Sequence, residues 1–293
     1  MRLPIALFLA LAIFSPALAA AESPRQKSAK ELVKVELIAN TTTTSNTQKV
    51  KLAVKFKIAP DWHIYWLNPG DSGIPTSPTL KLPAGWTHSP WQFPTPIKFN
   101  QPGDFVGYGY KKEVVLLTEL TPPQTFTTGT AQIDLDVAYL VCESICLPGH
   151  AKVSLTLSAG APDYQLIRDF DAYAAQIPDE PSRAGTQEVT PSPSPLPTLS
   201  DKAPTDLTYT IKMPFNAEGF TSVETFPLTP DGLEVTNLTS ELAKDSAIIK
   251  FTAKLYSGRT NVGPTLPVVV AWSTEEGQRV AKWFELPLIA PKP

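Results

Sequence analysis

The sequence predicts an all-β protein built as two β-sandwich domains joined by a short helix and a proline-rich linker. Three observations carry this reading. Runs of alternating apolar and polar residues recur along most of the chain, which is the period-two pattern of half-buried strands. Prolines number 31 in 293 residues and cluster between those runs. One stretch alone has helical spacing followed by a stop.

In chain order, residues 1–21 read as a signal peptide. Arg2 gives a short positive region, Leu3 to Phe14 an apolar run, and Ala17-Leu18-Ala19 the small residues that a signal peptidase reads. The run is too short for a membrane-spanning helix, which needs about 20 residues. The first domain is expected over residues 30–160. Lys30 to Ile38 and Gln48 to Ile58 read as strands, the second with Val50, Leu52, Val54, Phe56 and Ile58 on one face. Residues 74–112 are rich in proline and read as loops. Strand pattern returns at Glu113 to Leu120, Gln132 to Val141 and Lys152 to Leu157.

Residues 161–178 hold the expected helix, Pro162 to Ile177, with Tyr164, Ile167, Phe170, Tyr173 and Ala174 at helical spacing and Pro178 as its stop. Residues 179–204 read as the linker, semi-rigid where prolines are dense. Residues 205–293 form the second sandwich, with strands expected near 207–213, 221–226, 233–238, 247–255, 266–272 and 280–286. That domain carries no cysteine and no histidine.

Composition narrows the function. A formal net charge of −3 without a basic cluster gives no reason to expect nucleic acid. After the signal peptide no segment has the length and apolarity of a membrane span. No cofactor-binding motif occurs. The chemistry that remains is the cysteine pair, Cys142 and Cys146, four positions apart at a strand connection. In an oxidising compartment such a pair closes into a disulfide. A ring this small removes little chain entropy, about 2 kcal/mol against about 3 for a 15-residue loop. That shifts weight from a structural staple towards thiol exchange, in which a thiolate attacks a disulfide through a mixed-disulfide intermediate. No adjacent Lys or Arg is apparent to favour a thiolate, and Glu143 opposes one.

Several motifs in order then resemble a known family. They are Trp62-His63-Ile64-Tyr65-Trp66, Asn68-Pro69-Gly70-Asp71-Ser72-Gly73, Leu82-Pro83-Ala84-Gly85, Trp91 with Pro94, Gly107-Tyr108-Gly109-Tyr110, and Cys142 to Pro148. Residues 30–160 resemble the N-terminal periplasmic domain of the thiol:disulfide interchange protein DsbD and its ScsB-type relatives. The resemblance implies an immunoglobulin-like domain with protein-disulfide reductase activity. It would take electrons from a membrane-embedded donor and reduce periplasmic thioredoxin-like proteins. It maps the attacking thiol to Cys146 and the resolving thiol to Cys142. It places the Tyr65 hydroxyl near the sulfurs and gives Asp104-Phe105-Val106-Gly107 the look of a cap loop with Phe105 as its lid. The membrane and thioredoxin domains of DsbD do not follow here, so the donor is expected to be a separate protein. The cysteine spacing is shorter than in the best-known members and nearer the ScsB pattern.

A rival reading is copper binding or delivery, because Cys142, Cys146 and His150 form C-x3-C-x3-H and thiolates with imidazole suit Cu(I). Copper chaperones of the Sco type use such a set on a thioredoxin fold, for which no βαβ pattern exists here. A third reading is a non-catalytic adaptor that presents its second domain to a partner.

Overall fold

The computed structural model describes residues 27–164, 166–179, 189–213, 216, 218–258 and 262–289. The expected signal peptide lies outside them. Two sheets face each other in the first domain. One has the order β1 (Val33–Ala39), β3 (Val50–Ile58), β9 (Glu113–Thr121), β6 (Thr87–His88). The other runs β2 (Thr43–Thr44), β11 (Cys146–Ala159), β10 (Thr130–Cys142), β4 (His63–Gly70), β8 (Phe105–Lys111), β7 (Ile97–Gln101), with β5 (Ser77–Lys81) also paired to β10. Inward residues such as Val54, Phe56, Leu116, Leu135 and Val137 fill the space between them. This is the all-β sandwich that the alternation implied, with the immunoglobulin-like plan that the resemblance implied.

The second domain repeats the plan on a smaller scale. One sheet has the order β12 (Val189–Ser192), β13 (Thr205–Lys212), β16 (Ser246–Leu255), β15 (Leu233–Ala243), and the other β14 (Phe220–Pro227), β17 (Thr265–Thr274), β18 (Arg279–Pro287). Tyr209, Ile249, Phe251, Val270, Trp272 and Phe284 form its core.

Four stretches differ from the sequence reading. The first strand starts at Val33, because Ala29–Leu32 make a helical turn, α1. The Ser28 N–H donates to Glu31 Oε2 at 2.7 Å, a capping interaction that closes the turn. The later helix, α2, spans Ile167–Ala174 and starts five residues past Pro162. Asp163 is held outside it, accepting bonds from the Thr42 N–H and hydroxyl at 2.8 and 2.7 Å. Phe170 still packs α2 onto Ala53, Val115 and Leu117, as a helix closing the first domain would. The stretch 74–112 contributes β5 to β8, two of them interrupted by Pro78 or by Gly107 and Gly109, which hide a strand pattern. Part of the expected linker belongs to the second domain. Val189–Ser192 pairs with β13, and Leu199 is buried with its N–H donating to the Ile289 carbonyl at 2.8 Å.

The domains share a core. Trp66 on β4, fully buried, stacks on Trp283 with centroids 6.0 Å apart and meets Phe226 edge-on at 6.3 Å. Phe226 also takes the Tyr108 ring at 5.4 Å and the Arg279 guanidinium at 5.4 Å. Asn68 Nδ2 donates to the Pro227 carbonyl at 2.7 Å. Because side chains alternate along a strand, β4 turns Ile64 and Trp66 to the core and His63 and Tyr65 to the other face. One strand thus couples the interdomain core to the cysteine pair.

Candidate functional site

Cys142 ends β10 and Cys146 begins β11, and the two are opposed partners in the hairpin register. Their Cα atoms lie 4.2 Å apart and the sulfurs form a disulfide. The Glu143 N–H donates to the Ile145 carbonyl at 3.1 Å, which tightens the turn between them. The two sulfurs have unlike surroundings. Cys142 is 1% exposed, while Cys146 sits on the surface beside Ile145, itself 44% exposed.

Cys142 is enclosed by Tyr65, Leu140 and Phe99. Tyr65 Oη lies 3.4 Å from Cys142 Sγ. The same oxygen accepts from Gln101 Nε2 at 2.5 Å and lies 3.3 Å from His63 Nε2. Gln101 is held in turn by Ser72 Oγ, which donates to its Oε1 at 2.9 Å. Gly73 lets the chain pass over the Tyr65 ring. It has φ +120°, and a Cβ there would lie 2.4 Å from Tyr65 Cε1. Gly109 does the same for strand pairing, since its Cβ would meet the Ile64 carbonyl at 2.1 Å. That approach docks the β7–β8 hairpin, and so Phe99 and Gln101, onto β4.

His63 is opposite Cys142 across β4 and β10 and is buried, with the Phe99 ring centroid 4.2 Å away. Burial pushes its pKa down to about 4; Lys111 on β8 adds to the fall, and Glu143 opposes it. Burial likewise raises the Tyr65 pKa, against the Gln101 hydrogen bond, so Tyr65 stays a protonated donor. Glu143 is exposed and its pKa is lowered by hydrogen bonds from Ser144.

A pH dependence follows from His63. An unfolded histidine titrates near 6.5. Between pH 6.5 and about 4 the unfolded chain therefore binds a proton that the native protein does not, so this group's contribution to stability falls as pH drops through that window. Urea midpoints measured at pH 7 and 4.5 should show a smaller loss in His63→Phe than in the parent protein. An equal loss would contradict the assignment.

Two expected residues remain: Phe105, the cross-strand partner of Gln101, and His150. Phe105 opens β8, is 49% exposed, and lines a groove of about 730 Å³ towards the second domain with Asn68, Leu238 and Tyr256. The aromatic ring packed on the Tyr65–Cys142 cluster is Phe99. His150 is ion-paired with Asp136 on the exposed face of β11. It stands four residues along an extended strand from Cys146, about 13 Å at roughly 3.3 Å per residue. Among the described residues no three His, Cys, Asp or Glu side chains group as metal ligands. The histidine nearest the sulfurs is His63. Sequence reading gave no role to His63, Phe99 or Gln101. The i, i+2 spacing of His63 and Tyr65 on one strand face was the available signal for the first. Phe99 and Gln101 arrive through the hairpin and had none.

Among known proteins, the family model described as thiol:disulfide interchange protein DsbD, N-terminal, matches residues 29–158. The crystal structure of the N-terminal periplasmic domain of ScsB from Proteus mirabilis superimposes with a TM-score of 0.64 at 16% identity, covering 89% of this chain and 95% of that one. At that identity the likeness is one of fold, and it extends over both domains. The periplasmic chaperone SfaE aligns over 87% of this chain and 100% of its own at 11% identity, but its TM-score of 0.25 carries no argument. No curated protein matches the sequence.

Proposed function

Residues 29–158 belong to the N-terminal domain family of the thiol:disulfide interchange protein DsbD, and on that premise we propose that this protein shuttles reducing equivalents in the periplasm. A membrane-embedded donor reduces the Cys142–Cys146 disulfide, and the dithiol then reduces thioredoxin-like partners. The observation that carries the reading is the asymmetry of the pair. The exposed sulfur, Cys146, is reachable by a docked partner and forms the mixed disulfide. The buried one, Cys142, is shielded from every thiol except its neighbour, which suits a resolving role. Exposed Ile145 supplies an apolar contact next to the reacting sulfur.

Export through residues 1–21 and the ScsB likeness support the periplasmic location. Among the described residues no helix is long and apolar enough to cross a membrane. The second domain shares its core with β4 and so holds the site's scaffold in place. No observation favours copper, since the strand carries His150 away from the sulfurs.

The test is transfer. Reduced protein mixed with an oxidised thioredoxin-like domain and quenched in acid should lose both thiols as the partner gains two. No transfer to any such domain would overturn the reading. The lid role of Phe105 is part of the same reading. Phe105→Ala should speed reaction of the pair with small thiols, and an unchanged rate would leave covering to Phe99.

A further inference from the structure

The polar groups around Cys142 pose a question about one hydrogen. Tyr65 Oη carries a single hydrogen, and Gln101 Nε2 already occupies one of its acceptor positions. Ser72 holds the Gln101 carbonyl, which fixes that amide's orientation. Two acceptors then compete for the hydroxyl hydrogen: Cys142 Sγ at 3.4 Å and His63 Nε2 at 3.3 Å. The imidazole is buried among Phe99, Tyr65 and the β10 strand, with Lys111 facing it from β8 and Glu143 from the hairpin turn. In that setting it is neutral, and with its hydrogen on Nδ1 the Nε2 atom accepts. A disulfide sulfur is a weak acceptor, whereas a thiolate accepts strongly. The winner therefore depends on whether the pair is closed or open.

We propose that the Tyr65 hydroxyl is a redox-coupled hydrogen-bond switch, donating to His63 Nε2 while the pair is a disulfide and to Cys142 Sγ once it opens, with His63 and Gln101 as its positioning residues. The proposal rests on the thiol-exchange reading. When a partner thiolate attacks Cys146 Sγ, a bond forms between those sulfurs and the Cys142–Cys146 bond breaks. The electron pair of that bond stays on Cys142 Sγ as a thiolate, and the hydroxyl hydrogen turns onto it without leaving Tyr65. In reverse, the Cys142 thiolate attacks Cys146 Sγ and the partner sulfur departs with the electron pair. The hydrogen then returns to His63. Tyr65 touches a reacting atom; His63 and Gln101 act through it.

The test is a double-mutant cycle with His63→Phe, Tyr65→Phe and both together, each equilibrated in a glutathione redox buffer. His63→Phe removes an acceptor that serves only the closed state. Its equilibrium constant should move towards the dithiol by about three- to tenfold, the range of one net hydrogen bond. In the Tyr65→Phe background the same substitution should do nothing. A shift of equal size in both backgrounds would overturn the switch. A second readout needs no substitution: the His63 Nε2 nitrogen resonance should move when the parent protein is reduced with excess dithiothreitol, and that of His150 should not. An unmoved His63 resonance would also overturn it. Because that comparison needs no partner protein, it separates failure of the switch from failure of the shuttle, which would appear as no transfer to thioredoxin-like domains.

Discussion

Cys142→Ala is expected to convert the protein into a trap that accumulates as a mixed disulfide with a thioredoxin-like partner. The remaining sulfur, Cys146, is exposed at the start of β11 and able to attack. Its former partner is the one thiol near enough to resolve the complex, and the substitution deletes it. Cys146→Ala should trap far less, because Cys142 is 1% exposed and enclosed by Tyr65, Leu140 and Phe99. Non-reducing gel electrophoresis after mixing with the oxidised partner measures both. Trapping through Cys142 instead would reverse the division of labour.

Trp66→Ala should be the most damaging single change to the scaffold. The side chain is fully buried between the domains, stacked on Trp283 and against Phe226. Replacing a buried Trp by Ala costs about 3–5 kcal/mol through lost burial and the cavity left behind. Urea unfolding should show this loss. Since His63 and Tyr65 share the strand, the variant should also react faster with small thiols in its native baseline. A loss under about 1 kcal/mol would mean that Trp66 does not tie the domains together.

The sequence made most of the framework legible, and what it hid has physical causes. The strand β3 and, in the second domain, β13 and β16 alternate because one face packs on the core and the other is more exposed. By contrast, β7 and β8 are short and carry two glycines whose role is close backbone approach, so they lack alternation. Pro191 and the prolines that follow it suggested an extended linker, yet an edge strand tolerates proline, and β12, which holds Pro191, is one. At the site, the cysteine pair was plain from spacing and Tyr65 from resemblance. His63 was visible as one residue of a motif without a role, because its meaning depends on the cross-strand register that sets it opposite Cys142. Gln101 reaches Tyr65 from 36 positions away, through a hairpin the sequence reading treated as loop.

The central claim is that Cys142–Cys146 is an exchanging pair and not a staple, and its reduction potential decides the matter. Structural disulfides of secreted proteins typically lie below about −300 mV. Equilibration of the purified protein with defined glutathione or dithiothreitol buffers, read by thiol alkylation, should place this pair above that bound, within reach of thioredoxin-like partners. A potential well below about −300 mV would contradict the account and make the disulfide a structural element of the β10–β11 hairpin.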